Sequence, residues 1–258
     1  RRKMMLDRIQ TLLAHCSNDK RHFPPTTLYN EGWMMRLTID WFARNKTDNY
    51  PLTVPQDSTW YSEALLPSTF LPRYKGDKYS ESWTHADGAI GHFEIGSSGD
   101  GDLSVLPHAK HLVIIEAKMF SKLSSGVKNA SYYNQAARNV ACIAEVLRRG
   151  DKKPIELSSL GFYVLAPKSR IDEGIFKQQM TREHIKETVE RRIKEYDVSK
   201  DDWWQNWFIP TIDNIDIQTV SWEDIVAKIK EPDLALGQAL NNFYNLCLQF
   251  NRPEGKKL

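Results

Sequence analysis

Residues 111–120 read HLVIIEAKMF, and the fold turns on this stretch. Leu112 to Ile115 form an unbroken apolar run of strand length. Such a run predicts a strand covered on both faces, because a half-exposed strand would alternate. The run closes on Glu116-Ala117-Lys118. Side chains alternate along a strand, so Glu116 and Lys118 emerge on one face and Ala117 on the other. Two opposite charges are therefore placed at the margin of a core.

Working outward, residues 83–95 read WTHADGAIGHFEI. As a strand they put Asp87, Ala89, Gly91, Phe93 and Ile95 on one face. Residues 96–102, GSSGDGD, form a loop tip. Two strands about a Gly-rich tip predict a hairpin, and folding it near Asp102 brings Asp87 level with Lys118. On the other side, residues 131–147 carry Tyr133, Ala136, Ala137, Val140, Ala144 and Leu147 at helical spacing, and Gly150 ends that helix. LGFYVLA at 160–166 reads as a second buried strand, stopped by Pro167.

Upstream, Leu6–His15 reads as a short amphipathic helix, and Pro24 and Pro25 break the chain. Thr26 or Thr27 then caps a helix to about Arg44. Its stripe is Leu28, Met35, Ile39 and Phe42, and Glu31 falls on it. Burying an unpaired carboxylate is costly, so that glutamate is singled out. Residues 45–79 read as loops with a weak strand near Thr69–Tyr74. Beyond Ala166 come a charged helix from Glu173 to Tyr196, an aromatic stretch Trp203–Phe208, a short strand Ile215–Val220, a helix capped by Ser221, and a helix over Leu234–Phe250. From Thr26 to Ala166 the order is helix, weak strand, strand, strand, helix, strand, which predicts an α/β layer structure with a mixed central sheet. We expect one domain over residues 1–258: an N-terminal helix in 1–25, a core in 26–170, and a mostly helical extension in 171–258 packed on the core.

The 258 residues carry 8 Trp, 10 Tyr and 10 Phe, ample core material that argues against disorder. No apolar run approaches the roughly 20 residues of a membrane-spanning helix, so no membrane partner is expected. The net charge of +2 is too balanced to mark a nucleic-acid binder by composition, yet a basic groove and acidic metal ligands would cancel in that sum. Cys16, Cys142 and Cys247 are odd in number and widely spaced. They suit a reduced, intracellular, cytoplasmic setting better than a disulfide framework or zinc ribbon.

Asp87, Glu116 and Lys118, one acid from each strand beside a lysine, make a hard oxygen site suited to Mg²⁺ or Mn²⁺. A metal so held acidifies a water and stabilises charge on a phosphoryl oxygen. The lysine can orient that water and offset developing negative charge. Metal-assisted phosphodiester hydrolysis is the natural reaction class.

Asp87, Glu116 and Lys118, reading D…ExK, resemble the motif of the PD-(D/E)XK nuclease superfamily, also called restriction-endonuclease-like. The resemblance covers roughly Thr26 to Ala166 and implies an αβββαβ core. It further implies that Asp87 and Glu116 hold the metal, that Lys118 is catalytic, that Glu31 in YNEGWMMRL holds a metal or its water, and that Gln135 in YYNQAARN orients the lysine or the water. Ala86 stands before Asp87, where Pro is frequent in that family. The implied function is a Mg²⁺-dependent deoxyribonuclease, with DNA as partner, RNA as a second substrate to test, and a homodimer left open. The alternative is a catalytically inactive scaffold or nucleic-acid-binding subunit on the same fold.

Each residue also has a plainer reading. Glu116 and Lys118 alone could be a structural ion pair, and Asp87 a turn residue before Gly88. Glu31 could pair with a core arginine or the N-terminus of its own helix, and Gln135 could be a packing or capping amide. Tyr132, Asn139 and Cys142 flank Gln135 and read as core or supporting residues. His85 and His92 read as structural, and Asp100 and Asp102 as turn residues at the hairpin's far end. Lys122, Lys128 and Arg138 either cradle a backbone or belong to a solvated loop. Trp203, Trp204 and Trp207 read as a face packing the C-terminal part on the core, and Glu183–Glu195 as a solvated helix face held by i,i+4 pairs.

Overall fold

A computed structural model describes residues 2–19, 21–96 and 99–253. The chain opens with helix α1 (Arg2–Ala14), none of whose residues is buried. A 3₁₀ turn at Pro25–Thr27 precedes α2 (Glu31–Arg44). Here the expected cap moves: Asn30, not Thr26 or Thr27, caps the helix, its side chain accepting from the Trp33 N–H at 2.9 Å. The prolines fix their own short turn, and the next side chain able to satisfy a free helix N–H is Asn30.

The first strand also moves, to β1 (Thr59–Leu66) rather than Thr69–Tyr74. Pro67 follows β1 directly, and the Arg73 guanidinium grips Asp77 at 2.7 and 2.9 Å, holding that stretch as an irregular loop. The strand β2 (Thr84–Gly91) ends earlier than expected, and Phe93–Ile95 becomes a separate β3, paired with β4 (Leu103–Val105). Gly91 causes the break: its φ is 154°, and a Cβ there would lie 2.2 Å from the carbonyl oxygen of His111. The expected hairpin exists as this small β3–β4 flap, whose tip includes Ser97 and Ser98, outside the described residues. Gly101, just before β4, meets the outer edge of β1, where the Leu65 N–H donates to its carbonyl at 2.7 Å. Leu65 pairs with His85 on its other side, so Asp102 lies towards the Asp87 end of β2 and not at the far end.

The remaining strands and α-helices are β5 (His111–Ala117), α3 (Gln135–Arg149), β6 (Ser159–Ala166), α4 (Lys168–Asp172), α5 (Arg182–Tyr196), α6 (Asp201–Trp203), α7 (Ile209–Asn214), β7 (Asp216–Ser221), α8 (Trp222–Lys230) and α9 (Leu234–Asn251). Asn134 caps α3 and Ser221 caps α8 through side-chain acceptors. The charged helix expected over 173–196 is shorter: the chain turns at Gly174 (φ 71°), residues 173–181 stay non-helical, and α5 begins only after the Thr181 cap.

The main sheet has five strands in the order β1-β2-β5-β6-β7. The β1–β2 and β2–β5 pairs are antiparallel, and β5–β6 and β6–β7 are parallel. It is thus a mixed sheet in an α/β architecture. Two hydrophobic clusters cover its faces. One joins Ile114, Phe162 and Val164 to Ala137 and Val140 of α3, to the flap through Phe93 and Leu103, and to Ile185, Trp203 and Phe208 beyond. The other joins Val113, Ile115 and Leu165 to Met35 and Ile39 of α2, Trp222 and Ile225 of α8, and Tyr244 of α9. The expected C-terminal extension therefore supplies an edge strand and helices to both layers. Among the described residues no helix is long and apolar enough to cross a membrane, and all three cysteines are free and buried.

Candidate active site

The site is built where β2 begins and β5 ends. Gly88 pairs with Ile115, which sets Asp87 level with Glu116, two residues short of the expected Lys118. The hairpin is not a simple one: the residues between β4 and β5 add length on one side only. The ladder stops there, and the Asp87 carboxylate takes its place by accepting from the Ala117 N–H at 2.7 Å. Opposite Asp87, between the pairs Ser62–Gly88 and Ala64–Ala86, Glu63 of β1 adopts a left-handed φ of 61°. The strand rolls over at this point. Thr84 faces Cys142 of α3, whereas a Cβ at Gly88 would meet Met35 of α2.

Glu116 points into the α3 layer and is 2% exposed. Its Oε1 accepts from Lys118 Nζ at 2.8 Å and from the side-chain amide of Gln135. Its Oε2 receives the Asn139 amide at 3.5 Å. Gln135 is the first residue of α3, and its own Oε1 accepts from the Ser124 N–H at 3.1 Å, tying the loop after β5 to the site. Burial raises the Glu116 pKa to about 8; the nearby Asp87 carboxyl adds to the shift and Lys118 opposes it. Two carboxyl groups with one of them so raised mark a place where negative charge is crowded.

That crowding decides the fit of a divalent cation. The donors are hard carboxylate oxygens, and a cation on them relieves their mutual repulsion. Among the described residues no group of three or more His, Cys, Asp or Glu side chains is gathered for a metal. A cation would rest on Asp87 and Glu116 alone and complete its shell with water and substrate oxygens, as Mg²⁺ commonly does.

The structure thus brings together four of the five expected residues: Asp87, Glu116, Lys118 and Gln135. Gln135 holds Glu116, and reaches Lys118 only through their shared oxygen. Glu31 is elsewhere. It opens α2, on the opposite face of the sheet from α3, and its charge acts on the buried Cys247 thiol. No hydrogen bond or ion pair joins it to the acidic pair among the described residues. Asn139 is a site neighbour whose contacts the sequence did not specify; its signal was the i,i+4 spacing from Gln135.

The neighbouring features take their plainer readings. His92 is buried, its Nδ1 accepting from the Lys110 N–H at 3.4 Å. Trp203 and Trp207 are buried, and Trp204 stacks on Phe208 at 4.9 Å. The basic cluster divides: Lys122 and Lys128 are exposed, but the charge of Arg138 acts on buried Glu81 and Cys142. On α5, the pairs Glu190–Lys194 and Arg191–Glu195 are the expected i,i+4 bridges. Arg192 departs from them, being 1% exposed with its guanidinium 4.8 Å from the Phe70 ring. In comparisons with family models, curated proteins and solved structures, the chain matches none.

Proposed function

We propose that this chain is a divalent-metal-dependent nuclease hydrolysing phosphodiester bonds of DNA. The observation that carries the proposal is the meeting of the Asp87 and Glu116 carboxyl groups beside Lys118. Once the β3–β4 flap is set aside, the run α2-β1-β2-β5-α3-β6 has the αβββαβ order of a restriction-endonuclease-like core, which supports the same reading.

Asp87 and Glu116 would hold Mg²⁺ or Mn²⁺, which supplies an acidified water and charge neutralisation at the phosphoryl oxygen. Lys118 is 12% exposed along its side chain. Its ammonium orients the attacking water and offsets charge developing on the phosphate. Gln135 keeps Glu116 turned towards Lys118. Glu31, lying in the other layer, would contribute only through a bound water.

The test is cleavage of linear and circular DNA, with RNA in parallel, in Mg²⁺ and in chelator. We expect chelator-sensitive cleavage, reduced about 100-fold or more in Lys118→Ala and in Glu116→Gln. Lys118→Ala protein that cut at the wild-type rate would remove the lysine from the mechanism. The tightly satisfied Glu116–Lys118 pair also suits an inactive scaffold on the same fold. That reading is supported if purified protein binds DNA and cleaves neither nucleic acid.

A further inference from the structure

We propose that Asn139 is a positioning residue, whose side-chain amide locks the first turn of α3 to Glu116 and so fixes the carboxylate for the cation. This rests on the metal-site reading above. Asn139 is 0% exposed. Its Nδ2 donates to the Gln135 carbonyl at 3.0 Å and faces Glu116 Oε2 at 3.5 Å. The nearer neighbour, the Gln135 backbone carbonyl, can only accept, so the orientation of the amide is settled by chemistry.

The two oxygens of Glu116 are held from different sides. Lys118 and Gln135 both converge on Oε1; Asn139 addresses Oε2. The last torsion of a glutamate is soft. With donors at one oxygen only, the carboxylate can swing about that oxygen, and the direction it offers to Asp87 changes. Asn139 removes that freedom. Its own Oδ1 is buried without a partner. An apolar side chain of similar size would fill the space without that desolvation penalty. Packing alone therefore does not account for an amide here, whereas a donor aimed at Glu116 does.

The experiment compares full-length wild type with Asn139→Leu, which keeps the volume and loses the donor. Mn²⁺ binding is read by calorimetry without nucleic acid, and kcat and KM are read on DNA. We expect a 10- to 100-fold weaker Mn²⁺ affinity and a lower kcat at unchanged KM, with the near-ultraviolet dichroism of the wild type. Asn139→Ser covers the case in which the leucine variant fails to fold. A serine hydroxyl bonds back to the Gln135 carbonyl and leaves Glu116 unheld, so it too must lose Mn²⁺ affinity. A folded variant binding Mn²⁺ within twofold of wild type overturns the role of Asn139 alone. Wild-type protein that gives no Mn²⁺ signal overturns the metal reading, and this inference with it.

Discussion

At Glu116 burial and repulsion act together, and the chain answers them with three donors rather than with exposure. His111, at the other end of the same strand, meets burial without such help. It is 8% exposed and its Nε2 has no partner. Burial, with a smaller contribution from His92, lowers its pKa from 6.5 to about 4. The unfolded chain takes up a proton below pH 6.5 that the folded chain refuses until about pH 4. Stability is therefore full above pH 6.5 and falls as the pH drops through this window, by up to about 3 kcal/mol. Urea unfolding at pH 7 and pH 4.5 measures the fall, and His111→Gln should make the decline shallower by that amount. Gly91 is constrained by its backbone. With φ at 154° and the His111 carbonyl 2.2 Å from a would-be Cβ, Gly91→Ala should cost about 3 kcal/mol or more. A denaturation midpoint equal to wild type would contradict that account of the β2–β3 break.

At the scale of elements, termination and capping determined how legible each one was. The strands β5 and β6 were read within a few residues, since continuous apolar runs ended by charge or proline admit one interpretation. The helices α8 and α9 followed from a serine cap and apolar spacing. Strand β1 was missed because Ser62 and Glu63 interrupt its pattern, and Glu63 bends the strand at its left-handed φ. The cap of α2 was misplaced among several eligible side chains. Asn30 both accepts from Trp33 and donates to the Thr26 carbonyl at 2.8 Å, so Asn30→Ala should cost about 1–2 kcal/mol. Thermal melting would register this as a drop of a few degrees, and no drop would assign the cap elsewhere.

At the scale of the whole molecule, the extension after residue 170 is structural to the core. Phe176, Ile185, Trp203 and Phe208 enter the cluster on one face of the sheet, and Val220, Trp222 and Ile225 enter the other. Trp222 also donates its ring N–H to the Lys118 carbonyl at 2.9 Å, so the end of β5 is braced from α8. Truncation after Ala166 should leave both apolar faces partly bare. A cooperative urea transition in the truncated chain, with near-ultraviolet dichroism intact, would show instead that the first part folds alone. Trp222→Phe in the full chain isolates the brace. It leaves the Lys118 carbonyl without that donor and should cost about 1–3 kcal/mol.

The sequence by itself determined the α/β class, the buried strand pair β5 and β6, the helix between them, and the alternation that sends Glu116 and Lys118 to one face. These are local matters of side-chain period and chain punctuation, and they need no knowledge of what lies across the sheet. Only the tertiary structure decided that Asp87 meets Glu116 rather than Lys118, that Gly101 bonds to β1, and that Glu31 lies in the layer opposite α3. It also revealed that Asn139 reaches the second oxygen of Glu116. Each of these depends on inter-strand register or on which layer a helix joins. Those are set by where the chain can turn, as at Gly91 and Glu63, and by which apolar faces must be covered at once. No single stretch of residues carries that information.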